Sequence, residues 1–120
     1  MKKFFIAFMI MFLFGGVSAF SQVTVDDVDI NKLDIKYCEV VAKAAMFSMK
    51  VVVFIDYGQD FSWKAQTIKG SDGKDMQFNS VIAALNFMYK NGWDYSNNFV
   101  VTDKNGSIYH YLLKKKEQAE

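Results

Sequence analysis

The sequence predicts an α+β domain: a small antiparallel sheet of about four strands in β-β-α-β-β order, with one helix packed on one face, after an N-terminal signal peptide. Three observations predict it. A single amphipathic stretch, Phe78 to Tyr95, follows the N-terminal region. Upstream of it lies the β-branched and aromatic run Val51-Val52-Val53-Phe54-Ile55. Downstream, two apolar runs flank an Asn105-Gly106 turn, and Asn-Gly between apolar runs is the strongest short hairpin signal.

The chain of 120 residues allows one domain. Met1-Lys2-Lys3 is a basic start, Phe4 to Val17 is almost unbroken apolar sequence, and small residues follow near Ala19 to Ser21. That pattern predicts a cleaved export signal over residues 1–21 and a periplasmic or secreted product. The apolar run is shorter than the roughly 20 residues a membrane span needs, so no stable membrane insertion is expected after cleavage. The remaining divisions are a lead-in over 22–34, the α+β domain over 35–116 and a tail over 117–120.

Charge narrows the partners. Loss of Lys2 and Lys3 leaves 12 lysines against 13 carboxylates, and the chain has no arginine. There is no basic field for nucleic acid and no bidentate guanidinium for phosphate or guanine. Nucleic acid is therefore not an expected partner.

In chain order, the lead-in is Asp-rich (Asp26, Asp27, Asp29, Asp34) and predicts a few pinning apolar contacts with partial disorder. Ile35 to Ala44 alternates as a first strand and pairs as a hairpin with Lys50 to Tyr57, the strongest strand pattern, which Gly58 ends. In Gln59 to Gln77 the turn signal Ser71-Asp72-Gly73-Lys74 separates short extended pieces at Ala65–Lys69 and Asp75–Phe78. Phe61 and Trp63 are expected to anchor this excursion to the body.

At about 100° per residue, Val81, Ile82, Ala84, Leu85, Met88 and Tyr89 share one arc of the helix. Asn79 or Ser80 caps its start, and Asn91-Gly92 stops it, with Trp93 folding back toward Met88. Tyr95 to Thr102 and Ser107 to Lys114 are strands three and four, and the tail from Lys114 is expected to fray.

Strands two and four are apolar on both faces. One helix of about 12 residues, roughly 18 Å long, covers only one side of such a sheet. The second face is left to the excursion, the N-terminal segment, a second copy or a ligand.

No catalytic, cofactor or metal residues are assigned. His110 is the only histidine and reads as structural or surface, with no paired base or nucleophile marked. Cys38 is the only cysteine and reads as a buried small hydrophobe. Asp103-Lys104-Asn105-Gly106 echoes the start of a calcium loop, but the later Glu is missing and the turn explains it. The expectation is a non-catalytic binding module with a protein or glycan partner, or a homodimer joined through a sheet face. Two alternatives stand beside it. One is a small hydrolase using His110 with Cys38 or a carboxylate; the other is a glycan-binding module using exposed members of the set Tyr37, Tyr57, Trp63, Tyr89, Trp93, Tyr95, Tyr109 and Tyr111.

The run Phe78-Asn79-Ser80, then Ala84-Leu85-Asn86-Phe87-Met88 and Gly92-Trp93, with His110-Tyr111-Leu112-Leu113-Lys114 near the end, resembles small secreted Bacteroidetes proteins of unknown function. The Ala84-Leu85-Asn86 and Gly92-Trp93 pieces are also similar to a widespread uncharacterised domain whose helix ends in Gly-Trp. The resemblance implies export and the same fold class. It carries no activity and no site residues.

Overall fold

The computed structural model describes residues 21–43 and 50–117, and the expected signal peptide falls almost wholly outside them. The fold is α+β, but it is built on two antiparallel sheets where one was expected. In chain order the elements are β1 (Thr24–Val25), β2 (Val28–Asp29), a 3-10 turn (Ile30–Lys32), β3 (Tyr37–Lys43), β4 (Phe54–Asp56), β5 (Ile68–Lys69), α1 (Val81–Lys90), β6 (Trp93–Asp103) and β7 (Gly106–Lys115).

The larger sheet has strand order β4-β3-β7-β6. It contains the four anticipated strands, joined as the hairpins β3–β4 and β6–β7 through the central β3–β7 pairing. The β6–β7 turn places Gly106 at φ +117°, and the Asp103 carboxylate accepts the Asn105 N–H at 2.7 Å. Glycine suits that left-handed position because it has no Cβ to clash.

The smaller sheet, order β2-β1-β5, corrects the reading of residues 22–34 as a loosely pinned lead-in. Val23, Val25 and Ile30 are fully buried, and β1 pairs with both β2 and β5. The Asp residues that suggested solvation are turn formers. Asp26 and Asp27 hold φ of +45° and +66°, and Asp29 caps the 3-10 turn through the Asn31 N–H. Short polar side chains tolerate those conformations through local hydrogen bonds.

The second strand is shorter than its composition suggested. Val51 does not join β3; it makes a bridge to Phe78, with N–H to O distances of 2.6 and 2.8 Å in the two directions. Ladder pairing begins only where Phe54 meets Val41. Propensity selected extended backbone there, but tertiary partners decided which ladder each residue entered.

Helix α1 begins at Ser80, whose Oγ accepts the Ala83 N–H at 3.1 Å, and ends before Gly92 at φ +94°. The buried arc is rotated from the expected one. Ala84 and Met88 are fully buried and Phe87 packs on Phe78 at 5.6 Å, whereas Ile82 and Tyr89 are exposed. The helix packs on a core shared with both sheets through Ala84 and Met88, a contact stripe narrower than the apolar arc.

One core joins both sheets and the helix. Its β3 members are Cys38, Val40 and Ala42, which all share one face of the large sheet. The expected tail also corrects. Lys115 donates its Nζ to the carbonyls of Asn31 and Leu33, and Lys116 Nζ donates to the Tyr89 carbonyl. The Lys115 bonds stitch the end of the last strand to the N-terminal layer, and the Lys116 bond ties it to the helix.

Candidate functional site

Side chains alternate across a strand, so the inner residues Cys38, Val40 and Ala42 leave Tyr37, Glu39, Val41 and Lys43 on the opposite face. Register carries that outer face across all four strands. One row runs Phe54, Val41, His110, Phe99, and the next runs Asp56, Glu39, Leu112, Asn97. A third row pairs Lys43 with Ile108 and Val101.

Among the described residues, the outer face is the surface the fold leaves open. The helix, the N-terminal sheet and β5 all contribute to the core on the other side. Phe54, Phe99, Val101 and Tyr37 are between 38% and 50% exposed, an apolar strip that a water-facing sheet normally replaces with polar residues.

His110 sits in the middle of this face. Its ring lies parallel to Phe99, with centroids 4.4 Å apart and planes 5° from parallel. Its Nδ1 points toward Glu39 Oε2 at 3.5 Å, too far for a good hydrogen bond, and is buried without a hydrogen-bond partner. Among the described residues, no hydroxyl or thiol hydrogen-bonds the ring.

Cys38 is on the other side of the sheet. It pairs with Leu113, whereas His110 pairs with Val41, and strand alternation separates the two side chains. Burial, with a smaller contribution from Asp56, pushes its thiol up to about 12. A thiol held that high is no nucleophile at neutral pH. The geometry a His110–Cys38 hydrolase requires does not exist.

Phe61 and Trp63 correct the anchoring expectation. They are 81% and 94% exposed and meet only edge-on, with centroids 5.1 Å apart and planes at 82°. The excursion is held elsewhere. Thr67 and Ile68 are buried, the Ile55 N–H donates to the Gln66 carbonyl at 2.7 Å, and Gln59 Nε2 donates to the Ile55 carbonyl. The Phe61–Trp63 pair is not the coplanar platform a sugar ring stacks on.

Asn31 was not singled out from sequence, yet it is a partly buried polar node that joins three segments. It accepts the Trp93 Nε1–H at 2.6 Å, donates its Nδ2 to the Asn91 carbonyl at 2.8 Å, and its own carbonyl accepts Lys115. No local pattern marks such a residue, because its partners lie about 60 to 84 positions away. Beside it, Asp29, Lys32, Gly92 and Lys116 line an open cleft of about 520 Å³.

No helix among the described residues is long and apolar enough to cross a membrane. Compared with models of known protein families, with curated proteins and with solved structures, the chain matches none.

Proposed function

We propose that this chain is an exported, non-catalytic binding module that engages a protein partner through the outer face of its four-stranded sheet. The observation that carries the reading is the strip Phe54, Val41, His110 and Phe99, flanked by Tyr37, Val101 and Leu112, over which no described segment packs. Leaving such side chains in water forgoes about 25 cal/mol per Å² of burial that a partner recovers. The N-terminal Lys-Lys and apolar run support export.

Phe54→Asp tests this face without touching the core. Wild-type protein incubated with the exported fraction of its host should retain a partner that Phe54→Asp and Tyr37→Asp lose by about tenfold or more. Equal retention by all three proteins overturns the reading. A glycan retained on an array in place of a protein moves it to the glycan-binding alternative.

The hydrolytic alternative keeps one supporting observation, the 3.5 Å approach of His110 to Glu39. Turnover of activated esters that vanishes in His110→Ala is the result that favours it over binding.

A further inference from the structure

The edge of the large sheet says more than its face. β6 is the terminal strand, and among the described residues nothing pairs with its free side. The other edge is guarded: β4 is three residues long and is bridged by Phe54 to Thr67. Free edges in soluble proteins are usually blunted by lysine, proline, bulges or short length. Besides the Asn97 Oδ1 that accepts the Asn98 N–H at 2.8 Å, β6 has one such device, the irregularity between Tyr95 and Asn97. Beyond it, Asn97 to Asp103 is seven regular residues with no lysine and no proline, and Phe99, Val100 and Val101 are each 46–50% exposed.

We infer that β6 pairs antiparallel with β6 of a second copy about a two-fold axis at Val100, joining two four-stranded sheets into one. The inference builds on the reading of the sheet as an interaction surface and names one occupant for its edge. Self-complementarity carries it. A two-fold axis normal to the sheet keeps each face on its own side, so opposed residues must share a face. Centred on Val100, that arrangement sets Asn97 opposite Asp103, Asn98 opposite Thr102, Phe99 opposite Val101 and Val100 opposite itself. Polar meets polar, apolar meets apolar, and the one charged residue of the stretch meets an amide donor. Centring on Phe99 instead sets Val101 against Asn97 and Val100 against Asn98. Centring on Val101 sets Phe99 against the Asp103 carboxylate. Directly opposed pairs are what stabilise a ladder, and mismatched ones weaken it.

In this arrangement the apolar strip continues across the join. Phe99 and Val101 of each copy extend the row begun by Phe54, Val41 and His110. The strip becomes twice as long and two-fold symmetric.

Cysteine cross-linking reads the register directly. The native Cys38 is buried and stays silent. Val100→Cys should form a disulfide-linked dimer on mild oxidation, since opposed Cβ atoms lie about 4.5–5.5 Å apart. Asn98→Cys alone and Thr102→Cys alone should cross-link poorly, while an equal mixture of the two should cross-link well. Wild-type protein should sediment as a dimer at tens of micromolar, and Val100→Lys, which sets two ammonium groups on the axis, should weaken that dimer about tenfold or more. A wild-type monomer overturns the inference, and so does cross-linking of Asn98→Cys with Val100→Cys in preference to Thr102→Cys. A monomer that adds an extended foreign peptide to β6 also overturns it. Loss of partner by Phe54→Asp alongside a monomeric wild type removes this inference and leaves the face reading standing.

Discussion

Phe99 lies flat on His110, with ring centroids 4.4 Å apart, at the point where β6 and β7 cross the centre of the open face. The two rings are directly opposed residues of neighbouring strands, which brings Cβ atoms within about 5.5 Å and fixes the stack. Stacked aromatic pairs contribute roughly 0.5–1.5 kcal/mol beyond area burial. Because Phe99 is half exposed, the coupling between Phe99→Leu and His110→Leu in a double-mutant cycle should fall near the lower end, about 0.5 kcal/mol. Urea denaturation of the four proteins measures it, and purely additive effects would show that the stack is incidental.

Asn31 should be among the most sensitive polar positions. Asn31→Ala strands the Trp93 indole N–H and the Asn91 carbonyl, each left unpaired at a cost of about 1–3 kcal/mol. The expected loss is at least about 2 kcal/mol. An Asn31→Asp variant separates the two bonds, since it keeps an acceptor for Trp93 and removes the donor to Asn91.

The two tryptophans should behave as opposites. Trp93 is 1% exposed and Trp63 is 94% exposed. Acrylamide should quench the Trp63 emission and barely reach Trp93. Trp63→Ser should change stability by less than about 0.5 kcal/mol, as surface substitutions do. Trp93→Ala should cost about 3–5 kcal/mol through the cavity it leaves. Thermal melts that rank them the other way would restore Trp63 as an anchor.

The thiol of Cys38 gives a pH signature. Its pKa rises from 9.0 in the unfolded chain to about 12 in the fold, so the native state holds the proton more tightly. The associated stability is present in full below pH 9 and is lost as pH climbs from 9 toward 12. Cys38→Ala should flatten that alkaline decline. Alkylation by iodoacetamide at pH 8 should proceed only through unfolding, at a rate that rises with denaturant.

Asp75 acts at the acid end. Hydrogen bonds from Lys69 and Thr67 hold its carboxyl below the usual value of 3.8. A lowered carboxylate favours the fold above its unfolded pKa, and that contribution disappears as pH falls through the folded one. The side chain is substantially exposed, so salt should weaken the effect. Asp75→Asn should leave the acid limb of a stability profile shallower and less salt-sensitive.

Local chemistry marked much of the architecture. Ser80 and Gly92 bound the helix because a side-chain oxygen caps one end and a Cβ-free residue turns the other. Asn105-Gly106 set the β6–β7 hairpin for the same kind of reason. The alternation of Cys38, Val40 and Ala42 against Glu39 and Val41 divides β3 into two faces, and the apolar character of the second face was legible in the sequences of the strands Lys50 to Tyr57 and Ser107 to Lys114. Phe61 and Trp63 misled because bulk and apolarity state a preference for burial without naming a place for it. Ile82 and Tyr89 misled in the same way.

By itself, the sequence determined the class of fold, four strands and the helix between them, and the surplus of apolar surface over what one helix covers. Those properties depend on neighbours within a few positions, where dihedral preference and side-chain period act. Only the tertiary structure decided that the Asp-rich stretch after residue 21 forms a second sheet with β5, that Val51 bonds Phe78 instead of β3, and that the helix and the N-terminal sheet pack on the side away from His110. Each of those outcomes is a competition among partners tens of residues apart, settled by which arrangement satisfies the most backbone hydrogen bonds while burying the most apolar area.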